Sequence, residues 1–300
     1  MYSLFIITRN RSNILKYTIE EIFKQTLPPH SLLIIDNSDD EATQLMYEQT
    51  NDSRLQYHKV GYNSGPAGAA AIGIKILFEQ GYEWVVWGDD DDPPQFNDVI
   101  ENLFSIIPKI DIKTIGVIGS VGVNFNNSTG LIERIPDKDL NGILDVDCVA
   151  GNMFPLLHRN IYLNTIFPDP DLFFGFEELD FCLAVKRAKL RVIVPGKEMY
   201  RHRVIHKRLN LVKNYKLKAL QSLWREYYST RNRIYILLKK EKSYKGVVKI
   251  SIRTFVKMVY GFKFGFKYGR LNFYFLSKGL YDGFCNRMGM TISPNPKKTT

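Results

Sequence analysis

The sequence has little negative charge in its last third. Residues 201–300 contain only three acidic side chains, against 24 lysines and arginines, so this part of the chain carries a net charge of +21. Residues 1–200 have the opposite balance, with 28 acidic and 17 basic side chains. A basic segment of this kind is typical of contact with a polyanion, such as nucleic acid or an anionic membrane surface. The two parts of the chain are therefore expected to bind different partners.

Cysteine and long apolar runs are also scarce. The three cysteines, Cys148, Cys182 and Cys285, form no CxxC pair, which argues against a disulfide framework and favours a reducing compartment. No run of about 18 apolar residues is free of charge, so no membrane-spanning helix is expected. The first residues lack the basic start and the apolar stretch of a secretion signal. These absences predict a cytoplasmic protein, which can still lie against the inner face of the cell membrane.

Short apolar runs alternate with helical periodicity over the first hundred residues. Strands are predicted over residues 4–8, 32–35, 55–60 and 83–87. Helices are predicted from Ser12, which can cap the first one, and over residues 65–78. This alternation predicts an α/β fold with a largely parallel sheet. Ligands of such sheets bind outside the carboxyl ends of the strands, where Asp36 and the aspartates at 89–92 lie.

Four consecutive aspartates, Asp89, Asp90, Asp91 and Asp92, follow the last of these strands. Packed at a strand end, they would repel one another and raise each other's pKa unless a cation neutralised them. Carboxylate oxygens suit hard ions such as Mg²⁺ and Mn²⁺. One interpretation is therefore a divalent metal that bridges to the phosphates of a substrate. The alternative is a solvated acidic turn, in which Asp92 caps the helix after the two prolines.

A second acidic group, Glu177, Glu178 and Asp180, follows an aromatic loop at residues 173–176. These acids lie at the start of a predicted amphipathic helix, where the helix dipole favours each by about 0.3–1 kcal/mol. Helix capping is thus one interpretation. The other is that one of the acids is a general base, whose pKa an aromatic wall raises towards the working pH.

Five short motifs occur in one order along the chain. They are Thr8-Arg9, Asp36-Asn-Ser-Asp39, Asn63-Ser-Gly-Pro-Ala-Gly-Ala69, Asp89-Asp-Asp91 followed by Pro94, and Phe176-Glu-Glu-Leu-Asp180. In this order and spacing they resemble glycosyltransferase family 2, and within it most closely the bacterial rhamnosyl- and galactofuranosyltransferase branch. The resemblance covers about residues 2–235, because residues 224–233 are also similar to a segment of these bacterial enzymes.

The resemblance implies a GT-A fold, in which a Rossmann-like, mostly parallel sheet flanked by helices binds a nucleotide-diphospho-sugar. It also implies transfer of the sugar with inversion at the anomeric carbon. Thr8 and Arg9 would then line the nucleotide pocket. Asp36 would accept a hydrogen bond from the base, and Asn63 would lie near the nucleotide.

The resemblance further implies a bound Mn²⁺ or Mg²⁺. Asp91 would ligate the metal directly and Asp89 would be a second ligand, while Asp89 and Asp90 also face the ribose and the sugar. A metal-binding histidine is expected after the strand that follows the catalytic helix, and both His202 and His206 qualify. His202 has about the family's spacing from that helix and is preferred. The alternative for either histidine is contact with phosphate or solvent.

The general base is assigned by the same resemblance. The family's Glu-Asp catalytic pair aligns with Glu177 and Glu178, so Glu178 takes the position of the base. Glutamate replaces the usual aspartate here and is one methylene longer, which keeps Glu177 and Asp180 as alternatives. Because of this replacement, a second function remains an alternative, that of a scaffold protein that binds nucleotide sugars but does not transfer the sugar.

The C-terminal region, residues 236–300, is predicted to be basic and mainly helical, beyond a catalytic domain at 1–235. Basic residues recur at every fourth position, at Lys245, Lys249, Arg253 and Lys257. The same helix carries an apolar set, at Val248, Ile252, Phe255, Val256 and Val259. This pattern favours an interfacial helix on anionic lipid, and it also fits single-stranded nucleic acid or a solvated basic face over a helical core. Residues 294–300 are expected to be disordered.

Together these features predict a metal-dependent inverting glycosyltransferase that acts in the synthesis of a bacterial surface polysaccharide, such as a capsule or O-antigen. The expected donor is UDP-hexose or UDP-galactofuranose, or else dTDP-rhamnose. The acceptor is expected to be a hydroxyl of a glycan or lipid-linked glycan, reached from the inner face of the cell membrane. The alternative function is nucleic-acid binding through the basic C-terminal region. That function does not explain the carboxylates at the strand ends.

Overall fold

The computed structural model describes residues 1–211 and 217–293, which fold into two compact units. The first unit contains residues 1–124, 134–170 and 178–211. The second contains residues 125–133, 171–177 and the described residues from 217 onward. The disordered tail predicted at 294–300 lies outside the described residues, and the domain boundary predicted near residue 235 stays a prediction.

The described residues form strands and helices in an alternating order. The strands are β1 (Tyr2–Thr8), β2 (Ser31–Asp36), β3 (Leu55–Lys59), β4 (Trp84–Asp89), β5 (Ile115–Ile118), β6 (Gly122–Asn126), β7 (Leu131–Glu133), β8 (Ile143–Asp145), β9 (Cys148–Val149), β10 (Leu156–His158) and β11 (Arg191–Pro195). The α-helices are α1 (Ser12–Phe23), α2 (Ala42–Gln49), α3 (Gly65–Glu79), α4 (Val99–Phe104), α5 (Asn160–Leu163), α6 (Glu177–Arg187), α7 (Gly196–Ile205), α8 (Trp224–Tyr235), α9 (Tyr244–Tyr260) and α10 (Phe266–Phe284).

The first unit is built on an eight-stranded sheet with the order β3-β2-β1-β4-β10-β5-β11-β8. Strands β1 to β4 are parallel to one another, and β5 is parallel to β11. Only β10 and β8 run antiparallel to their neighbours in this sheet. The four predicted strands are present as β1 to β4, so the predicted α/β fold with a mostly parallel sheet flanked by helices is confirmed.

The helices that connect the parallel strands pack on the sheet through small and apolar residues. The helix predicted over residues 65–78 is present as α3, and its Gly73 lies so close to β1 that an added Cβ would be 2.6 Å from the Phe5 ring. Helix α1 buries Leu15 and Ile22. The capping predicted for Ser12 is wrong, because Ser12 is already the first helical residue and no side chain caps α1.

Three long helices, α8, α9 and α10, form most of the second unit. Glycines let α10 approach α8 closely: an added Cβ would lie 2.7 Å from the Tyr227 carbonyl oxygen at Gly279, and 2.9 Å from that of Arg231 at Gly283. The predicted helical C-terminal region is therefore confirmed. Within residues 1–211 and 217–293, no helix is both long enough and apolar enough to cross a membrane.

Candidate active site

Three polar residues end neighbouring parallel strands at one edge of the sheet. Thr8 on β1 lies opposite Asp36 on β2, and Ile7 lies opposite Asp89 on β4. The carboxyl ends of parallel strands form the edge at which ligands bind in sheets of this kind. The structure therefore brings together three of the residues that the sequence proposed for the site.

Asp89, Asp90 and Asp91 form a compact cluster, in which one oxygen of each carboxylate lies within 4.8 Å of the other two. The backbone N–H of Asp90 donates to Oδ1 of Asp89 at 2.9 Å. The Thr8 hydroxyl donates to Oδ2 of Asp90 at 2.7 Å. Arg11 donates from Nη1 to Asp90 at 3.0 Å and to Asp91 at 2.5 Å. Hydrogen bonds from β1 and from the residue that precedes α1 thus hold the cluster in place.

Burial shifts the acidity of two of these carboxyls. Burial, followed by the charges of Asp90 and Asp91, raises the pKa of Asp89 from 3.8 to about 7. Burial also raises the pKa of Asp90, although the hydrogen bond from Thr8 and the charge of Arg11 oppose the rise. A cation among the three oxygens would favour their ionised forms. The cluster therefore fits a hard divalent ion such as Mg²⁺ or Mn²⁺.

Neither of the predicted metal-binding histidines belongs to this cluster within the described part of the chain. His202 is buried near the end of α7, with its Nε2 3.4 Å from Oε1 of Glu198. Its ring packs edge-on against Phe96, with 5.4 Å between the centroids, and lies 6.3 Å from the His206 ring. The structure thus places His202 against the loop that follows the aspartates. A role in metal binding for either histidine stays a prediction.

Asp36 is fully buried at the end of β2 and accepts two hydrogen bonds from the protein. The backbone N–H of Ser38 donates to Oδ1 at 2.8 Å, and the Tyr57 hydroxyl donates to Oδ2 at 2.7 Å. Burial and then the Asp36 carboxylate raise the pKa of Tyr57, which remains a donor at neutral pH. Each carboxylate oxygen can accept a further hydrogen bond. The contact predicted between Asp36 and a nucleotide base stays a prediction.

Arg9 and Asn63 lie in loops after β1 and β3. Arg9 donates from Nη2 to Asp39 at 2.7 Å, so the structure joins the first two sequence motifs. Asn63 accepts from the backbone N–H of Gly65 at 3.1 Å, at the start of α3. Gly65 has a φ of +69°, a left-handed conformation that favours glycine at this turn. The roles of Arg9 and Asn63 in nucleotide binding stay predictions.

The last aspartate of the run, Asp92, connects two loops. It accepts hydrogen bonds from Nδ2 of Asn152 at 2.5 Å and from Nε2 of Gln95 at 3.1 Å. The alternative in which Asp92 caps a helix is wrong, because residues 93–97 are not helical and Asp98 takes the N-cap position of α4. The aspartate run is therefore tied to the segment around residue 152, which also contacts the candidate base.

Glu178 lies at the start of α6 and packs against Gly151, the neighbour of Asn152. A Cβ added to Gly151 would be 3.0 Å from Oε1 of Glu178. Burial raises the pKa of Glu178, although backbone N–H groups of Gly151 and of Glu178 itself donate to the carboxylate. Trp87 and Phe181 line the same small cavity. A raised pKa is what the general-base interpretation requires of this residue.

The two alternative bases are also buried. Glu177 is 6% exposed and belongs to the second unit, whereas Asp180 is 3% exposed and belongs to the first. The assignment of the base among the three acids stays a prediction.

The sequence analysis missed two residues of the site, Arg11 and Asn152. A signal for Arg11 was available, because a basic residue between a predicted strand end and a predicted helix lies at the carboxyl edge of the sheet. Asn152 has no local signal, since it reaches Asp92 from 60 positions away.

The fold and the strand-end carboxylates define a class, that of α/β proteins with a metal-compatible site at the carboxyl edge of the sheet. Residues 3–152 match the family model described as Glycosyl transferase family 2. The match covers half of the chain and includes β1 to β4 and the aspartate cluster, so the chain belongs to this family. The predicted resemblance to glycosyltransferase family 2 is thereby confirmed. A comparison with curated protein sequences found no match.

Several solved glycosyltransferase structures are similar to this chain. Mannosyltransferase PcManGT from Pyrobaculum calidifontis, in complex with GDP-Man and Mn²⁺, has a TM-score of 0.56 and 12% identity, over 95% of this chain and 87% of its own. S. aureus TarS 1-349, in complex with UDP-GlcNAc, has a TM-score of 0.53 and 13% identity, over 94% of this chain and 81% of its own.

GalNAc-T7 with UDP, GalNAc and Mn²⁺ has a TM-score of 0.53 and 16% identity, over 65% of this chain. The match spans only 42% of the GalNAc-T7 chain. At these identities the likeness shows the fold, and the predicted GT-A fold is confirmed.

Proposed function

We propose that this protein is a metal-dependent inverting glycosyltransferase, which moves a sugar from a nucleotide-diphospho-sugar to an acceptor hydroxyl. The observation that carries the proposal is the cluster of Asp89, Asp90 and Asp91 at the same edge of the sheet as Asp36, in a chain of glycosyltransferase family 2. The similar structures support it, because they contain UDP, GDP-Man or UDP-GlcNAc, two of them together with Mn²⁺. We infer the same kind of donor here, with Mn²⁺ or Mg²⁺.

The site offers a place for each part of the donor. The base is expected beside Asp36 and the diphosphate beside the aspartate cluster. Asp91 is the most accessible member of that cluster, with 45% of its side chain exposed, so we assign it direct contact with the metal. Asp90 is buried under Thr8 and Arg11, which hold its carboxylate still. From the sequence motifs, the sugar nucleotide is a UDP-hexose, UDP-galactofuranose or dTDP-rhamnose.

The proposed reaction is a single displacement. The acceptor oxygen bonds to the anomeric carbon while the bond from that carbon to the diphosphate breaks, so the nucleoside diphosphate leaves with the electron pair. Glu178 takes the proton of the acceptor hydroxyl, and its raised pKa makes it a stronger base than an exposed carboxylate. A bound divalent ion supplies charge stabilisation for the leaving diphosphate. The direct attack inverts the anomeric configuration and requires no covalent nucleophile.

The surface of α9 supports the further proposal that the protein docks on an anionic membrane. Five apolar side chains of α9 are between 56% and 61% exposed, namely Val248, Ile252, Phe255, Val256 and Val259. The buried face of this helix is formed by other residues, namely Gly246, Val247, Ile250, Thr254 and Met258. The predicted apolar set is therefore a separate, solvent-facing surface, which we call the apolar face of α9.

Cations adjoin the apolar face of α9. At 100° per residue, Lys249 and Arg253 lie between the apolar face and the buried face, whereas Lys245 lies within the arc of the apolar face. All three basic residues are exposed. Lys257, the fourth basic residue of the predicted stripe, instead pairs with Glu226 at 2.6 Å. An apolar surface bordered by cations fits insertion at the boundary of an anionic bilayer. We infer an acceptor at that surface, a glycan or lipid-linked glycan of a bacterial surface polysaccharide.

A thermal-shift panel tests the proposed function. Purified protein is heated with UDP-, GDP- and dTDP-sugars, each with and without Mn²⁺. A ligand that binds only the native state raises the Tm, so at least one nucleotide sugar should stabilise the protein in a Mn²⁺-dependent manner. The absence of any shift across the panel would contradict the proposal. A shift without product in an acceptor screen would instead identify a scaffold that binds nucleotide sugars.

A further inference from the structure

Two neighbouring side chains of α8 hold the backbone of residues 171–175, within the second unit. The first is Asn232, whose Nδ2 lies 2.9 Å from the carbonyl oxygen of Leu172, 3.0 Å from that of Phe174 and 2.7 Å from that of Gly175. Asn232 is fully buried. Its amide group has two hydrogens, which these three carbonyls share. The side chain therefore contacts three of the five backbone carbonyls of residues 171–175.

The second is Arg231, which is also fully buried. Its hydrogen bonds run from Nη2 to the Leu172 carbonyl at 2.8 Å, from Nη1 to the Gly289 carbonyl at 2.6 Å and from Nε to Asn232 at 2.9 Å. Burying a guanidinium is costly unless its N–H groups are hydrogen-bonded. An apolar side chain would fill this space without that cost. The buried arginine therefore indicates that its N–H groups are needed as hydrogen-bond donors. We call Arg231, Asn232 and the segment that they hold the loop clamp.

The clamped segment has an unfavourable backbone conformation. Phe173, Gly175 and Phe176 have φ angles of 58°, 77° and 71°. Residues other than glycine rarely adopt such angles, and they persist only where the surroundings impose them. Packing adds to the hydrogen bonds here, because the Phe173 ring lies 5.3 Å from that of Tyr228 and the Arg233 guanidinium lies 4.7 Å from the Phe176 ring. Residues of α8 therefore impose the strained path of this loop.

The clamped segment leads along the chain into α6, whose first two residues are Glu177 and Glu178. We infer that Arg231 and Asn232 are positioning residues for the general base, because they hold the backbone of the segment that leads directly into the two glutamates. The inference rests on the proposed function. A base displaced by about 1 Å loses roughly 100-fold in rate. The residues proposed to bind the donor belong to the first unit, so we expect a change in this loop to alter the reaction rate more than donor binding.

The test uses the full-length protein and two matched variants of α8. Asn232→Leu removes the donors and nearly keeps the volume. Glu226→Gln is the control, since Glu226 is buried on the same helix but pairs with Lys218 at 2.5 Å and with Lys257 at 2.6 Å. Gly175→Ala is a second, milder probe: its φ disfavours alanine, although an added Cβ would meet no atom within 4 Å.

Two readouts separate positioning from general stability. Amide hydrogen exchange of residues 172–178 reports whether the loop is held, and it needs no substrate. Turnover of the UDP- or dTDP-sugar that gives the largest thermal shift, with Mn²⁺ and a glycolipid acceptor, reports kcat and donor KM. For Asn232→Leu we expect at least tenfold faster exchange of this loop. We also expect a 10- to 100-fold lower kcat and a donor KM within threefold of wild type. The pH at which kcat falls on the acid side should shift, because the surroundings of the proposed base change.

The control should lower the Tm while kcat and exchange of this loop stay close to wild type. If Asn232→Leu fails to fold, Gly175→Ala should still show faster loop exchange and lower kcat. Unchanged exchange in the folded variants would overturn the loop clamp. Faster exchange with wild-type kcat, or an equal loss of kcat in Glu226→Gln, would overturn the positioning role. If the wild-type protein transfers no sugar, both the proposed function and the positioning role are overturned. Amide hydrogen exchange would still show whether Arg231 and Asn232 hold the loop.

Discussion

The Thr8 hydroxyl donates a 2.7 Å hydrogen bond to Oδ2 of the buried Asp90, and so joins the end of β1 to the aspartate cluster after β4. Thr8 is itself only 1% exposed. The structure therefore gives Thr8 a supporting role for a carboxylate, in addition to the nucleotide contact predicted for it. This bond makes the proposed metal site dependent on a residue that need not touch the metal.

The hydrogen bond from Thr8 should contribute to metal affinity. Thr8→Val keeps the shape of the side chain but leaves Asp90 without this donor. We expect a loss of about 1.5–3 kcal/mol in the free energy of unfolding, the usual range for a hydrogen bond to a charged group. Partners of metal-binding side chains typically contribute 10- to 100-fold in affinity, so calorimetric Mn²⁺ titration should show a weakening of at least about tenfold.

A matched control is Thr18→Val. Thr18 donates to the backbone carbonyl of the same Asp90 at 2.7 Å and does not bond to its carboxylate. This variant should lose stability while it retains Mn²⁺ affinity. Equal Mn²⁺ affinities in Thr8→Val and the wild type would show that the bond has no part in metal binding.

Asp89 should make the stability of the metal-free protein depend on pH. Its pKa is raised to about 7 in the fold, against 3.8 in an unfolded chain. Between these values the folded state keeps a proton that the unfolded state has lost, so the stability from this group falls as the pH rises from about 4 to 7. Asp89→Asn removes the effect. It should stabilise the protein at pH 8 by on the order of 2–4 kcal/mol and change little at pH 4.

Chemical denaturation at the two pH values measures this difference. Mn²⁺ competes with the same proton, so it should raise the Tm of the wild type more at pH 8 than at pH 5. An Asp89→Asn variant with the same stability gain at both pH values would contradict the assigned pKa.

The two histidines should differ in their effect on metal binding. We expect His202→Ala to weaken Mn²⁺ binding by at least about tenfold, because the family spacing favours His202 and Glu198 lies 3.4 Å from its Nε2, as carboxylates often do beside a metal-binding histidine. His206→Ala is the matched control and should have little effect. Mn²⁺ titration of both variants decides the assignment, and unchanged affinity in both would remove histidine from the proposed metal site.

The apolar face of α9 should bind anionic vesicles. Lys245→Gln, Lys249→Gln and Arg253→Gln together remove three cations, each of which contributes about 1 kcal/mol near an anionic surface. Vesicle sedimentation should therefore show binding weakened by roughly 100-fold, with a smaller effect at high salt. The single change Val256→Glu should also weaken binding, because it places a charge within the apolar face.

Leu45→Glu is the control for Val256→Glu, since Leu45 is similarly exposed on α2. Wild-type vesicle binding by the triple glutamine variant would reject the docking surface. Tighter binding of single-stranded nucleic acid than of vesicles would instead support the other partner suggested by the basic region.

Much of the fold could be predicted from local patterns. The apolar runs of β1 to β4 and the small residues of α3 predict strands and a closely packed helix, because each pattern depends only on neighbouring residues. Asp36 and Asp89 could be placed at one edge of the sheet because the carboxyl ends of parallel strands lie together, and this requires no knowledge of other contacts. The contact between Asp92 and Asn152 could not be predicted in this way, since it depends on how distant segments fold together.

The loop clamp could not be predicted from sequence patterns either, because it also depends on how distant segments fold together. Arg231 and Asn232 lie about 60 positions from the carbonyls that they bind, and a polar pair on a helix usually indicates a solvated face. Periodicity favoured a surface position for the apolar set of α9 but left a helical core as an alternative, because it separates the faces of a helix and does not say which one is covered.

The central claim is that the aspartate cluster and Glu178 together perform sugar transfer. The most direct measurement is transfer of labelled sugar to a glycolipid acceptor, with Mn²⁺, by the wild type and the variants Asp91→Asn and Glu178→Gln. We predict that Asp91→Asn loses both Mn²⁺-dependent donor binding and transfer. Glu178→Gln should keep donor binding and lose about 10²–10⁴-fold in transfer rate, the usual contribution of a general base. Transfer at the wild-type rate by both variants would contradict the account.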